Sequence, residues 1–251
     1  MALTDGIVGC WSPSIRGSGY TLPDLSGRGN HGTLTNMDIT DWTGASVVGN
    51  SGQVLSYNDN TIDKRVDIGK QLPGVAGLRE LTVTMWARRR AANGIANAGQ
   101  VVGANYWNVV PFSDGNVYFQ ISPNYVSVAD NVTTWRFWAM TLTGSTIRGY
   151  RDGVSVVSGT GPSTVPTVSA NFVIGTYPGI TLKANADIGE VAVYQRALTQ
   201  PEVLELFRRG NGAIGRELTG QTRRRVYGFV PAGFRAYWAR RQNQIIGGGV
   251  R

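Results

Sequence analysis

The sequence predicts an all-β chain of short antiparallel strands, with one short helix near residues 200–209 and a C-terminal extension of different character. Three observations carry this reading. The 251 residues include 34 glycines and 10 prolines against a charged fraction of 16%, a composition suited to tight turns rather than helices. Apolar and polar residues alternate with a period of two in several segments, the spacing of a strand that buries one face. Positive charge is gathered at one end of the chain.

The first distinctive string is Asp24-Leu25-Ser26-Gly27-Arg28-Gly29-Asn30-His31-Gly32. Its glycines let backbone carbonyls converge, and Asp24 and Asn30 can supply oxygens. Chemistry alone leaves two readings open here, a hard-cation site or an ordinary loop braced by turn hydrogen bonds. Further along, Leu81, Val83 and Met85 alternate with Thr82, Thr84 and Trp86, which predicts a strand near the middle of a sheet. Residues 117–121, 137–142, 147–151 and 190–194 read the same way. Asp114-Gly115, Gly144-Ser145 and Asp152-Gly153 separate them, dipeptides suited to hairpin turns with positive φ. The triplet Arg88-Arg89-Arg90 after the first of these strands reads as a solvated loop.

One helix stands out. Thr199 can cap it, Pro201 suits its first turn, and Glu202 completes a capping box. Val203, Leu204 and Phe207 share a face, Arg208 and Arg209 suit the negative end of the dipole, and Gly210 suits a left-handed stop. Residues 211–220 then read as a linker.

Charge divides the chain at this point. Residues 1–207 hold 14 Lys and Arg against 15 Asp and Glu, and residues 208–251 hold 10 against 1, so −1 and +9 sum to the net +8. The terminal segment adds Tyr227, Phe229, Phe234, Tyr237 and Trp238 to Arg223, Arg224, Arg225, Arg235, Arg240 and Arg241. Rings left in water cost about 25 cal/mol per Å², so the segment is expected to be buried against this domain or another chain. Arginine with aromatics suits phosphate contact and base stacking, and it equally suits the centre of a protein interface. The near-neutral body favours the interface over nucleic acid.

No stretch approaches the roughly 20 apolar residues that a membrane span needs, and the first twenty residues lack the pattern of an export signal. Cys10 is the one cysteine, so no internal disulfide forms, which fits folding in a reducing cytoplasm.

Several strings, taken in order, resemble the laminin-G-like domains of the concanavalin A-like lectin and glucanase superfamily. The glycine loop at residues 24–32 resembles their opening signature. Trp135-Arg136-Phe137-Trp138-Ala139, Tyr150-Arg151-Asp152-Gly153 and Phe172-Val173-Ile174-Gly175 resemble their Trp-His-His-Val-Ala, Tyr-Val-Asp-Gly and Ile-Gly elements. Residues 188–199, from Ile188-Gly189-Glu190 to Ala197-Leu198-Thr199, resemble the closing Ile-Asp-Glu-Val-Arg-Ile-Tyr-Asn-Arg-Ala-Leu-Ser. The resemblance, over roughly residues 5–209, implies a two-sheet antiparallel jelly-roll sandwich, set at 1–210, and the charge division sets a basic aromatic arm at 211–251. It departs at Gly189, where the family has Asp, and at Arg136, where it has His. A structural calcium held near Asp24, Asn30 and Glu190 is the candidate metal, and no cofactor is required. Asp187 and Glu190, three apart on a strand, should face opposite sides unless a bulge intervenes.

Catalysis is not expected. His31, the single histidine, lies in the glycine loop away from any evident nucleophile, and Cys10 reads as a packed residue. Neither metalloprotease, phosphate-loop nor glycosidase carboxylate spacing occurs. Sugar binding is the functional reading of this fold, with a ring covering a pyranose face and amides reaching its hydroxyls. Tyr57, Asn105, Tyr106, Trp107 and Tyr125 are the candidates.

A laminin-G-like domain without an export signal, ending in an arginine- and aromatic-rich arm, also resembles phage virion proteins. The expected function is a capsid decoration or fibre-type component on the virion surface, made in the host cytoplasm. Its expected partners are the major capsid or other virion proteins and sister copies, with a cell-surface glycan as ligand. A free lectin or adhesin module is the alternative, and a divergent glycan hydrolase stands behind it.

Overall fold

The computed structural model describes residues 2–221 except 16–18, 48–49, 59–61, 92–94, 103–104, 131–132 and 177–183. In chain order the strands are β1 (Ile7–Trp11), β2 (Thr21–Leu22), β3 (Gly32–Thr35), β4 (Trp42–Val47), β5 (Asn50–Tyr57), β6 (Arg65–Asp67), β7 (Glu80–Arg89) and β8 (Ala98–Val102). They continue as β9 (Asn105–Pro111), β10 (Asn116–Ile121), β11 (Asn124–Ala129), β12 (Arg136–Thr143), β13 (Thr146–Arg151), β14 (Val154–Thr160), β15 (Val173–Gly175) and β16 (Ala186–Tyr194). Two helices close the described chain, α1 (Gln200–Arg209) and α2 (Ala213–Leu218).

The strands form two antiparallel sheets stacked as a sandwich. The back sheet runs β14-β13-β12-β7-β16-β5-β4, with β1 also paired to β16, and the front sheet runs β11-β10-β9-β8-β15-β6-β3-β2. Turn chemistry closes the hairpins as the sequence predicts. Asp152 and Gly153 take φ of 53° and 82°, the paired positive values of a type I′ turn. Gly153 has a second reason to lack a side chain, because a Cβ there would press on Leu204 of α1 at 2.8 Å.

Most apolar side chains fall into two clusters. One lies between the sheets, where Trp11 stacks on Phe172 at 4.9 Å and Phe172 meets Trp107 at 5.6 Å. The other lies on the outer side of the back sheet, where Trp86, Phe137 and Tyr194 pack beneath Val203 and Leu206 of α1 and Ile214 of α2. Fully burying a side chain of this size contributes about 2–3 kcal/mol, so the helices are structural parts of the sandwich.

This second cluster corrects three expectations. The strand at 81–87 was expected to bury one face, yet Thr82, Thr84 and Trp86 are buried too, because the helices and the N-terminal segment cover the outward side. On α1, Val203 and Leu206 are the buried pair, and Leu204 is half-buried beside Gly153. The stretch read as a linker holds α2, with Asn211, Ala213, Ile214 and Gly215 buried. The compact unit accordingly runs from Met1 to Gly220, and a second unit comprises Gln221–Arg251. The arm residues Arg223, Arg224, Arg225, Tyr227, Phe229, Phe234, Arg235, Tyr237, Trp238, Arg240 and Arg241 lie outside the described residues.

The arginine triplet is no loop either. Arg88 and Arg90 both pair with Asp187, which is 1% exposed, and Arg88 also lies over the Trp135 ring at 5.4 Å. Arg89 is buried and donates to the Asn116 carbonyl. A buried carboxylate demands paired cations, and they come from Arg88 of β7, in register with Asp187, and from Arg90 just past the strand's end.

Candidate functional site

The outward side of the front sheet is set by strand alternation. Val109, Phe119 and Ile121 point into the core, so Tyr106, Asn108, Tyr118 and Gln120 point out. Register carries the same parity onto β11, where Gln120 pairs with Tyr125 and Tyr118 with Ser127. The result is an aromatic ladder near the sheet edge. Phe112 meets the Tyr118 ring edge-on at 5.9 Å, and Tyr118 meets Tyr125 at 5.6 Å.

Tyr125 is 56% exposed, whereas a large aromatic without a ligand is usually covered. Polar groups flank it. The Tyr118 hydroxyl donates to Asp114 at 2.5 Å, and Asp114 also accepts the Asn116 N–H at 2.9 Å. The bond to Asp114 pushes the Tyr118 hydroxyl up. Slight desolvation works against ionisation of Asp114, but the donors at Tyr118 and Asn116 outweigh it and hold its carboxyl below the usual range. The arrangement offers a ring face, an ionised acceptor and the Gln120 amide along one side of the sheet, the groups that recognise a pyranose.

The sugar candidates separate cleanly. Tyr106 and Tyr125 sit on this outward side, half-buried and exposed respectively. Tyr57 is wholly buried, with its hydroxyl donating to the Ile174 carbonyl at 3.1 Å. Trp107 is buried against Phe172. Neither ring can cover a sugar, because each fills the core between the sheets. Asn105 begins β9, and its side chain lies outside the described residues. Sequence reasoning missed Tyr118, Gln120 and Asp114. The alternation at 117–121 already placed Tyr118 and Gln120 opposite the apolar set, and Asp114 had been read only as a turn residue.

The candidate calcium ligands do not fit that ion. Asp24 accepts four bonds, from the N–H groups of Cys10, Ser26 and Asn30 and from the Ser26 hydroxyl, at 2.8–3.0 Å. A carboxylate has about four lone-pair sites, so these donors occupy it. Glu190 accepts the Ile214 N–H at 3.2 Å with one oxygen and the Gly215 N–H at 2.7 Å with the other. Only the side-chain oxygen of Asn30 is left without a partner, where calcium needs about six to eight oxygens. No group of three or more His, Cys, Asp or Glu able to hold a metal occurs among the described residues.

A bulge does occur in β16, where the register against β7 slips between Ile188 and Val191. It returns Asp187 and Glu190 to the same side of the strand, but Asp187 goes to Arg88 and Arg90 while Glu190 goes to α2. Cys10 lies beside Glu190 and is wholly buried, and burial first, then the Glu190 and Asp24 carboxylates, push its thiol up. His31 accepts the Asp24 N–H through Nδ1 at 3.1 Å. Arg136, which stands where the resembled family has His, pairs with Asp152 at 2.8 Å.

A two-sheet jelly-roll sandwich with an outward aromatic ladder belongs to the lectin-like class of β proteins. The chain is a member of the concanavalin A-like lectin/glucanases superfamily, whose laminin-G family model matches residues 59–204. Among solved structures it is similar to the binding domain of Paraclostridial Mosquitocidal Protein 1, at 16% identity and a TM-score of 0.59, covering 82% of this chain and 52% of that one. The receptor binding domain of botulinum neurotoxin D matches at 12% identity and a TM-score of 0.60, covering 82% and 53%. A Trypanosoma rangeli sialidase in complex with sialic acid matches at 14% identity and a TM-score of 0.55, covering 81% and 33%. The chain thus spans about half the length of the two binding domains and a third of the sialidase. At these identities the likeness is one of fold. No curated protein sequence matches the chain.

Proposed function

We propose that this chain is a non-catalytic surface component of a phage virion, a decoration or fibre-type protein. Its sandwich presents a glycan-binding face, and its arm docks on capsid proteins or sister copies. The observation that carries the glycan reading is the exposed Tyr125 ring, set edge-on to Tyr118 with Asp114 and Gln120 on the same side of the front sheet. The likeness in fold to two toxin binding domains supports a recognition role by analogy. The non-catalytic reading rests on Cys10 being sealed in the core and on His31 being engaged by the Asp24 backbone.

The arm reading rests on charge. Residues 1–220 hold 17 Lys and Arg against 16 Asp and Glu, which leaves 7 against 0 for residues 221–251 out of totals of 24 and 16. A neutral body with a wholly cationic, aromatic end suits docking by the end and presentation of the body. The test compares the full chain with a chain ending at Gly220, for glycan-array binding and for co-sedimentation with purified particles. Both should bind the same glycan, and only the full chain should join the particle. Equal partition of the two chains, or no glycan bound by either, overturns the reading.

A further inference from the structure

We infer that the back sheet carries a second ligand site, a pocket for a hydroxyl-rich monocarboxylate of the hexuronic acid class. The pocket is about 490 Å³ in volume and lies between the outward side of β12 and β13 and the segment entering α1, a size typical of small-molecule sites. It is separate from the Tyr125 surface, which belongs to the other sheet.

Register builds its floor. Thr141 pairs with Arg148 and Thr143 with Thr146 across β12 and β13, and Thr143 pairs with Glu80 of β7 on its other side. Leu142 and Ile147 point into the core, so these five side chains all point outward. They form a grid with a spacing of about 5 Å between strands and 7 Å along them. One pyranose ring with its hydroxyls spans such a grid.

The chemistry of the grid selects the ligand. Among the described residues Arg148 has no ion-pair or hydrogen-bond partner, and neither do the hydroxyls of Thr141, Thr143 and Thr146. A guanidinium fork takes a carboxylate in two parallel bonds, and threonine hydroxyls both donate to and accept from sugar hydroxyls. Glu80 receives the Ala197 N–H at 3.3 Å through one oxygen, which leaves the other to accept a hydroxyl. A carboxylate beside a single cation disfavours a dianionic phosphate. The large apolar residues at the pocket, Leu198 and Tyr150, are themselves buried, so a peptide finds no exposed anchor there. A singly charged, polyhydroxylated ring satisfies all of these groups.

The test is an NMR titration of the full-length protein with glucuronic acid and, separately, with glucose, which replaces the carboxylate by a neutral hydroxymethyl group. Glucuronate should give saturable shifts at the Thr143, Thr146 and Arg148 amides, and glucose should bind at least about tenfold more weakly. Arg148→Gln should remove that preference, and Thr143→Val should weaken both sugars. No saturable shift at these amides, equal binding of the two sugars, or an Arg148→Gln variant that keeps its preference overturns the inference. Loss of the Tyr125-dependent glycan on the front sheet bears on the proposed function alone.

Discussion

The side-chain oxygen of Asn211 occupies the space that a side chain on Gly189 would need, and it accepts the Glu190 N–H at 2.7 Å. The two residues meet at the β16 bulge, where α2 is fastened to the back sheet. Gly189 is where the resembled family carries aspartate, so the departure has a steric cause. The place is taken by an amide from the segment after α1. Gly189→Asp should therefore cost about 2 kcal/mol through overpacking, and Asn211→Gly in the same chain should recover part of it. Urea unfolding of both single variants and the double variant reads this directly. Strict additivity would refute the contact, since touching residues couple.

Glu190 links stability to pH. Burial pushes its carboxyl up to about 7, against the pull of the Gly215 and Ile214 N–H groups. The folded-state value lies above the unfolded one, so the contribution is complete below about 4.5 and is lost as pH rises through about 7. Unfolding free energy should fall by up to about 3 kcal/mol from this group across that window, and Glu190→Gln should flatten the profile there. Glu202 does not interfere. Its bond from Arg196, aided by the Thr199 N–H, holds its carboxyl down to about 2, so its contribution is present above about 4.5 and is lost only as pH falls through about 2. A variant that keeps the full slope between these two pH values would show that another group is responsible.

Where the chain is cut should decide whether it folds. A chain ending at Gly210 lacks Asn211 and the Ile214 and Gly215 N–H groups, which strands the buried Glu190 carboxyl. It also uncovers the outer cluster beneath Ile214. The expected loss is about 3–5 kcal/mol, enough to abolish a cooperative melt in a marginally stable domain. A chain ending at Gly220 should melt like the full-length protein. Calorimetry giving equal melting temperatures for the two truncated chains would contradict the role assigned to α2.

The front-sheet surface can be taken apart one residue at a time. Tyr125→Ala removes an exposed ring, so stability should move by no more than about 0.5 kcal/mol while glycan binding falls about tenfold or more. Tyr118→Phe keeps the ring and removes the hydroxyl bonded to Asp114, and should give a smaller loss. Binding by the Tyr125→Ala protein at the unaltered level would place the sugar elsewhere.

Strands with one apolar row were legible because a period of two is a property of neighbouring residues, and β10 runs where that period put it. α1 was legible for a similar reason, since Thr199 and Glu202 form their capping box locally. α2 left no such mark. It has six residues and no side-chain cap, and its N-terminal amides are satisfied by Glu190 from a strand much earlier in the chain. The candidate rings divided on the same principle. Nothing near Tyr57 or Trp107 in the sequence separates them from Tyr125, yet two of them fill the core and one faces solvent.

The sequence by itself determined the all-β class, the turns, the capped helix and the split between a neutral body and a cationic end, because each depends on residues adjacent in the chain. Only the tertiary structure decided that β7 and β16 at the centre of the back sheet are buried on both faces, that Arg88 and Arg90 neutralise Asp187, and that Tyr125 and Tyr118 share an open surface. Those outcomes turn on which distant segments come to lie over a given strand face, and a covered face and an open one can be written in the same alternating residues.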